Sequence, residues 1–464
     1  MKDPGRVLIL GAGPSGLGAA FRFQEMGFGN FLVLEALESA GGLSGSHVDA
    51  QGFTWDIGGH VQFSHYKYYD DVLDRALGDS WLYHERESWI RMEGRFIPYP
   101  FQYNIHRLSA ENCEQALKGL EIAASNGHGP APSDFQSWIH QTFGEGIANL
   151  FLCPYNRKVW GYPLEMLGVR WMGERVAVPD LARIQRNIRE DIDDVSWGPN
   201  STFRFPKKGG TGAIWNAVAG LIEPARLQFG STVAGIDLAS RLAILTDGRR
   251  LKFETLITTI PLDRFVGTCD GLSPDVRRAS RSMIHSSVHV IGVGLRGPKP
   301  PALERKCWLY FPEPNSPHYR VTIFSNYSPH NVPEGGDCWS LMAEVCESPC
   351  RPVDGDELRA WTLRAMQEDG LIAANNEVVS YWHFRAEHGY PTPFRGRDEL
   401  LAEILPALEE HRVFSRGRFG AWKYEVGNQD HSFMQGVEAA DRMLGAGEEI
   451  TFLNANHVNS GAFR

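Results

Sequence analysis

VLILGAGPSGLGAAFRFQEM occupies residues 7–26 and FLVLE residues 31–35, and the fold class rests on taking the two together. Val7 to Leu10 is an apolar run of strand length, Leu17 to Met26 has helical character, and Phe31 to Leu34 is apolar again, so the segment reads as one strand–helix–strand unit. Gly11, Gly13 and Gly16 stand between the first strand and the helix, with Pro14 and Ser15 inside the pattern. Each glycine has a physical task in a dinucleotide site. Gly11 allows the tight turn, Gly13 lets backbone N–H groups approach a pyrophosphate at the helix amino terminus, and Gly16 lets helix and strand pack closely. Glu35, at the end of the second strand, is placed to accept hydrogen bonds from a ribose. A glycine pattern alone arises by chance, but the doublet Gly41-Gly42, with Leu43 and Ser44 after it, offers a second backbone approach to the pyrophosphate and favours FAD over NAD.

Around that unit lies a chain of 464 residues, 42% apolar, long enough for two or three domains. A formal net charge of −10 argues against a nucleic-acid partner, and no block of Lys and Arg supplies the basic face that phosphates would need. MKDPGRVLIL enters strand-like sequence at once, without the layout of a secretory signal, and no apolar run reaches the length of a membrane span. Seven scattered cysteines suit reduced thiols in a cytoplasm. CESPC, from Cys346, lacks histidines or a second cysteine pair at zinc-site spacing, so no metal is expected.

Helical spacing dominates from about 105 to 195, where Ser133 and Gln136 read as a capping box ahead of Phe135, Trp138, Ile139, Ile147, Leu150 and Phe151. Strand-like runs follow from about 275 to 385, among them HVIGVGL from His289, CWLYF from Cys307 and RVTIFSNY from Arg320. The expected fold is α/β. A Rossmann-like FAD-binding domain is assembled from residues 1–65, 200–270 and 413–464, a helical substrate-binding domain is inserted over 103–198, and an antiparallel β-sheet domain spans 66–102 and 271–412.

Longer stretches carry a resemblance: GGHVQFSHYKYYDD from Gly58, PYPFQ from Pro98, PYNRKVWGYP from Pro154, GERVAVP from Gly173, WGPNSTFRFPKKGGTGAIW from Trp197, CWLYFPE from Cys307, IFSNYSP from Ile323, EHGYPTP from Glu387 and GRFGAWKYEVGNQDHSFM from Gly417. In that order they resemble the eukaryotic-type branch of the UDP-galactopyranose mutases over nearly the whole chain. The resemblance implies a redox-neutral isomerase that needs reduced FAD. In that mechanism the flavin N5 attacks the anomeric carbon, UDP leaves, the sugar ring opens and recloses through another hydroxyl, and UDP returns.

Residue by residue, the resemblance assigns Arg175 and Arg320 to the departing diphosphate, a task that suits forked guanidinium groups. Tyr327, Tyr390, Tyr424 and Asn428 would donate to the same group. Tyr99, Phe101 and Gln102 would hold the uracil, with Asn156 and Trp160 lining the nucleotide pocket, and Asn200, Trp308 and Tyr310 would contact sugar or diphosphate. His60, after Gly58 and Gly59, would face the isoalloxazine and tune its protonation, while Arg418, Asn428, Gln429 and Ser432 complete the flavin contacts. Arg86 and Ser88 match positions that meet the extra phosphate of NADPH, the implied reductant. Departures from the family pattern are a short segment between Pro329 and Trp339, which bears on contacts between subunits of a homo-oligomer, and Arg157 and Tyr162 beside the nucleotide pocket, which bear on the base and sugar accepted. An amine-oxidase-type FAD oxidase or desaturase would share the glycine motifs but has no use for paired diphosphate arginines among tyrosines. A non-catalytic sugar-nucleotide binding protein would keep the pocket without the turnover.

Overall fold

The strand Val7–Leu10 is the centre of a parallel sheet whose order is Val413–Ser415, Thr255–Thr258, Val7–Leu10, Phe31–Leu34, Leu227–Gln228. Its side chains are buried throughout, as expected for a parallel strand covered on both faces. The strands come from pieces of chain hundreds of residues apart. This computed structural model describes residues 4–126, 130–173, 176–195, 198 and 201–460.

One face of the sheet is covered by the helix Pro14–Glu25, which packs along the helix Gln429–Leu444. The two backbones meet at Gly18 and Gly436. A Cβ on Gly18 would stand 2.3 Å from the Phe433 carbonyl oxygen, and one on Gly436 would stand 1.9 Å from that of Ser15. This close approach fixes the amino end of the first helix, and with it the turn before it.

A second sheet of seven strands runs Glu377–Pro391, His285–Arg296, Cys338–Glu347, Arg320–Thr322, Trp308–Tyr310, Ser88–Met92, Arg95–Pro98. All its pairs are antiparallel except Trp308–Tyr310 against Ser88–Met92. A helical layer comprising Ala110–Ser125, Phe135–Ile147, Cys153–Trp160 and Leu181–Glu190 builds its own apolar core around Phe101, Phe135, Ile139, Phe143 and Trp160.

Two local expectations need correction. No capping box of Ser133 and Gln136 starts the helix Phe135–Ile147. Asp134 is its N-cap, accepting from the Ser137 amide at 2.8 Å, while the Ser133 hydroxyl donates to the Asp134 carboxylate. RVTIFSNY is strand only over Arg320–Thr322. Beyond it the chain turns through a short 3-10 segment, Phe324–Asn326, because the Asn326 side-chain Nδ2 donates to the carbonyls of Leu303, Glu304 and Lys306 and draws the backbone off the ladder. All seven cysteines are free. No described helix is long and apolar enough to cross a membrane.

Candidate active site

The glycine-rich turn is wired by its own backbone. The Gly11 amide donates to the Leu34 carbonyl at 2.8 Å, the Ala12 amide to Glu35 Oε2 at 2.6 Å, and the Leu37 amide to Glu35 Oε1 at 2.9 Å. Glu35 is thereby oriented, and its two oxygens keep further lone pairs for ribose hydroxyls. Gly13 is the N-cap in extended conformation and Pro14 takes the first helical position, so the first-turn amides point out of the helix as an anion would need. The Gly41 amide donates to the Ala12 carbonyl at 2.9 Å and draws the doublet over the turn, where a Cβ on Gly42 would stand 3.7 Å from the Gly13 Cα. Leu43 and Ser44 complete a single 3-10 turn with Gly42, anchored when the Thr211 hydroxyl donates to the Ser44 carbonyl. Ser15 Oγ is buried and finds no hydrogen-bond partner among the described residues. A bare glycine backbone, an orphaned hydroxyl and an oriented acid together fit the pyrophosphate and ribose of FAD.

Across from this turn, Asn428 caps the helix Gln429–Leu444 without spending its side chain on the cap. Ser432 is buried in the helix's first turn. Gln429 is committed within the protein, its Oε1 accepting from Trp215 Nε1 at 2.8 Å and Gln62 Nε2 at 2.9 Å. Arg418 reaches the Gly427 and Gly389 carbonyls and lies over the rings of Tyr390 and Tyr424, 5.0 and 5.7 Å from their centroids.

Arg320 acts on Tyr390 from the antiparallel sheet. Its Nε and Nη2 donate to the two oxygens of Glu344, each at 2.8 Å, and Glu344 also accepts from the Tyr319 hydroxyl at 2.7 Å and the Gly59 amide at 2.9 Å. The Glu344 side chain is 2% exposed and that of Arg320 23%. Burial alone would raise the Glu344 carboxyl, but Arg320 and the Tyr319 and Gly59 donors hold it below its ordinary value. Burial dominates at Tyr390, pushing its phenol up to about 12 against the pull of Arg320, so it stays a hydrogen-bond donor at neutral pH.

Trp160 meets Tyr424, Trp171 and Tyr390 edge-on at 4.9, 4.9 and 5.8 Å, and its buried Nε1 has no partner among the described residues. Tyr310 touches both Tyr99 and Tyr155 at 5.3 Å. Arg86 lies 5.9 Å over the Tyr99 ring, and Ser88, paired with Trp308, accepts the Tyr99 amide on its carbonyl. Arg320, His60, Arg418, Tyr390, Tyr424, Trp160, Tyr310 and Tyr99 are thus gathered, with Ser88 and Trp308 on the adjoining strands and Arg86 in the link just before Ser88.

Other positions pack behind these walls or are bonded within the fold. Tyr327 is fully buried among Phe203, Phe205 and Phe324, and Phe101 is fully buried against Phe151. Gln102 Nε2 donates to the Ala177 carbonyl, and Asn156 Nδ2 to the Leu152 carbonyl one turn back. Arg175 and Asn200 lie outside the described residues.

Sequence reasoning missed Glu344, Tyr319, Tyr155 and Trp171. Only Glu344 had an independent signal, a lone carboxylate inside the apolar run LMAEV, which a buried strand tolerates only with a cationic partner.

His60 follows a tight Gly58-Gly59 turn, and its Nδ1 has no partner among the described residues. Burial pushes the imidazole down to about 4. The Glu344 charge opposes this, and Arg418 and Arg320 reinforce it. The unfolded chain therefore takes up a proton from about pH 6.5 downward that the folded protein refuses until about pH 4, so this residue's share of stability is intact above pH 6.5 and drains as pH falls toward 4. His60→Gln is expected to flatten the fall in melting temperature across that window. A slope equal to that of the unaltered protein would mean that His60 titrates freely.

Comparisons with known proteins place this geometry. A family model described as an NAD(P)-binding Rossmann-like domain matches residues 9–76. Among solved structures, the chain is similar to a reduced UDP-galactopyranose mutase at 46% identity, with 99% of this chain and 98% of that one covered and a TM-score of 0.96. A putative protoporphyrinogen oxidase from Exiguobacterium (16% identity, 96% and 99% covered, TM-score 0.68) and a fatty acid isomerase from P. acnes that produces CLA (16%, 95% and 99%, 0.64) share the fold.

Proposed function

The chain belongs to the UDP-galactopyranose mutase family, and from that premise we propose that it interconverts the pyranose and furanose forms of a nucleotide sugar, UDP-galactose or a close analogue, with FAD as cofactor. The observation that carries this reading is Arg418 lying over the rings of Tyr390 and Tyr424 while Arg320 acts on Tyr390 and is braced, through Glu344, to the Gly58-Gly59-His60 turn.

Glu35 would hold the ribose of FAD, and Gly13, Ser15, Gly42 and the helix amino terminus its pyrophosphate, with Arg418, Asn428, Gln429 and Ser432 on the opposite side. Bound and reduced, FAD supplies an electron-rich nitrogen, N5, as the nucleophile toward the anomeric carbon, with no net redox change. The chain's own task is then to stabilise the diphosphate as it leaves and to retain it for return. Arg320 does so from a guanidinium whose Nε and Nη2 are braced by Glu344, leaving the Nη1 hydrogens for phosphate oxygens, and the family resemblance assigns Arg175 to the same diphosphate. Tyr390 and Tyr424 donate hydroxyls to the same oxygens. His60, kept neutral, offers a lone pair or an N–H beside the reacting atoms without adding charge.

Trp160 and Tyr99 provide aromatic walls for the base, and Gln102 keeps Oε1 as an acceptor while Nε2 holds Ala177. Phe101 backs this wall from the helical core, and Asn156 completes it. Arg86 and Ser88, beside Tyr99 and Trp308, are where NADPH would dock to reduce the flavin before substrate takes its place.

The test is to reduce the FAD-loaded protein anaerobically and supply UDP-, GDP- and dTDP-hexoses, following ring isomers by chromatography. Furanose product from at least one UDP-hexose, with no stoichiometric use of NADPH or oxygen, is expected. Steady oxygen consumption in step with product would mark an oxidase instead, and a reduced protein that isomerises none of the panel would leave only a binding function.

A further inference from the structure

Away from the pocket, three side chains from three elements converge where the parallel-sheet layer meets the antiparallel sheet. Asp263 stands in the first turn of the helix Leu262–Thr268, His285 opens the strand His285–Arg296, and His388 lies near the end of the strand Glu377–Pro391. His388 Nε2 is 2.9 Å from both carboxylate oxygens of Asp263, and His285 Nδ1 is 4.0 Å from Oδ2. The two imidazoles stack with centroids 4.0 Å apart and planes 15° off parallel. All three ligand atoms lie within 4.8 Å of one another.

We propose that Asp263, His285 and His388 bind one divalent transition-metal ion of the zinc class. Two imidazoles and a carboxylate are a zinc donor set, and donor atoms on one tetrahedral zinc stand about 3.3 Å apart, given bonds of about 2.0–2.1 Å. The observed 2.9 and 4.0 Å separations straddle that spacing, and the stacked rings must open apart so that both in-plane lone pairs meet on a common ion. An ion pair would need only His388 and Asp263, and gives no reason for a second imidazole to present Nδ1 to the same carboxylate.

The backbone is built to aim these groups. The pairing of the two strands shifts register between Ser286 and Val288, where residues 387–389 face Ser287 alone, and His388 sits within that bulge, a device that re-aims a side chain. Trp422 and Phe419 close the back of the cluster edge-on to His388. Asp263 and His285 remain 21% and 22% exposed, which gives an ion a way in and leaves a position for water. The comparable trio His65, Asp430 and His431 is at most 2% exposed at each side chain and offers no such entry. Sequence reading alone expected no metal, because cysteine spacing is its main guide and this site has no cysteine. A bound ion would clamp two layers together next to Gly389, whose carbonyl accepts Arg418.

The test uses FAD-loaded protein stripped with EDTA and titrated with zinc chloride by calorimetry, with thermal unfolding alongside. One zinc per chain and a raised melting temperature are expected. His285→Phe, which keeps the stacked ring, and Asp263→Asn should each weaken zinc binding at least tenfold while flavin content stays at the level of the unaltered protein. In the unaltered protein, zinc should also shield His285 from diethylpyrocarbonate, mapped by mass spectrometry, a readout that stands even if a variant fails to fold. The proposal is overturned if the unaltered protein takes up no zinc, if both folded variants bind it undiminished, or if zinc leaves His285 equally reactive.

Discussion

Arg320→Ala is expected to lower turnover of the reduced enzyme at least tenfold and to destabilise the fold at the same time, for two separable reasons. A charged hydrogen bond to a buried phosphate contributes roughly 1.5–3 kcal/mol, and each 1.36 kcal/mol is a factor of about ten in rate. The same truncation leaves Glu344, 2% exposed, as a buried carboxylate without its cation, and breaking a buried ion pair by removing one partner costs about 3–5 kcal/mol. Tyr319 and Gly59 would still donate to Glu344, which places the loss toward the lower end of that range. Arg320→Ala combined with Glu344→Ala should therefore regain stability without regaining turnover, because the second change removes the stranded charge and not the missing phosphate donor. Arg320→Lys keeps the charge but not the fork that engages both Glu344 oxygens, and should fall between the two. Steady-state kinetics under reducing conditions, paired with melting curves, read the two effects independently. If Arg320→Ala and Arg175→Ala both turn over at the rate of the unaltered enzyme, the diphosphate assignment is wrong.

What could be foreseen from sequence, and what could not, follows from how far apart the determinants lie in the chain. The nucleotide turn was legible because its requirements are local: Gly11, Gly13 and Gly16 answer to backbone geometry within one turn, and Glu35 closes onto Ala12 and Leu37. The apolar run Val7–Leu10 announced a strand, and the spacing of Phe135, Ile139 and Ile147 announced a helix with one buried side. Helix starts were less legible, since Ser133 and Asp134 are adjacent good caps and only the backbone conformation at 134 selects one. The partner of Arg320 was hidden. Glu344 is 24 residues on and meets it across an antiparallel register, which no spacing rule encodes. Shared motifs identify residues that surround a pocket without saying which point inward. Phe101 and Tyr327, read as ligand contacts, have rings fully buried in aromatic clusters, and Tyr155, next to the chosen Asn156, joins Tyr99 against Tyr310.

Gly16→Ala is expected to yield a folded protein that purifies largely without FAD. A Cβ at this position would stand 1.8 Å from the Gly11 carbonyl oxygen and 3.4 Å from Ile9 Cγ2. The first obstacle is backbone, and it cannot swing aside. Gly11 is held at φ +102 with its amide bonded to the Leu34 carbonyl, and a Cβ on Gly11 itself would collide with the Thr259 hydroxyl. The helix Pro14–Glu25 must therefore lift from the strand, but its far side is already against the helix Gln429–Leu444, where the Ser15 carbonyl packs on Gly436. Overpacking of this kind costs about 1–3 kcal/mol, a tolerable loss for the fold but one concentrated on Ser15 and the first-turn amides that would face the pyrophosphate. At about 1.4 kcal/mol per decade, the same strain weakens flavin binding by roughly five- to a hundredfold before any lost hydrogen bond is added. Gly27→Ala is the matched control: its φ of +72 strains an alanine, but nothing stands within 4 Å of the new methyl and the site is remote from the turn. It should lose some stability and no flavin. Flavin absorbance per protein and the dissociation constant of added FAD decide the matter, and a Gly16→Ala protein that retains FAD one to one with unchanged affinity would show that the cofactor does not depend on this turn.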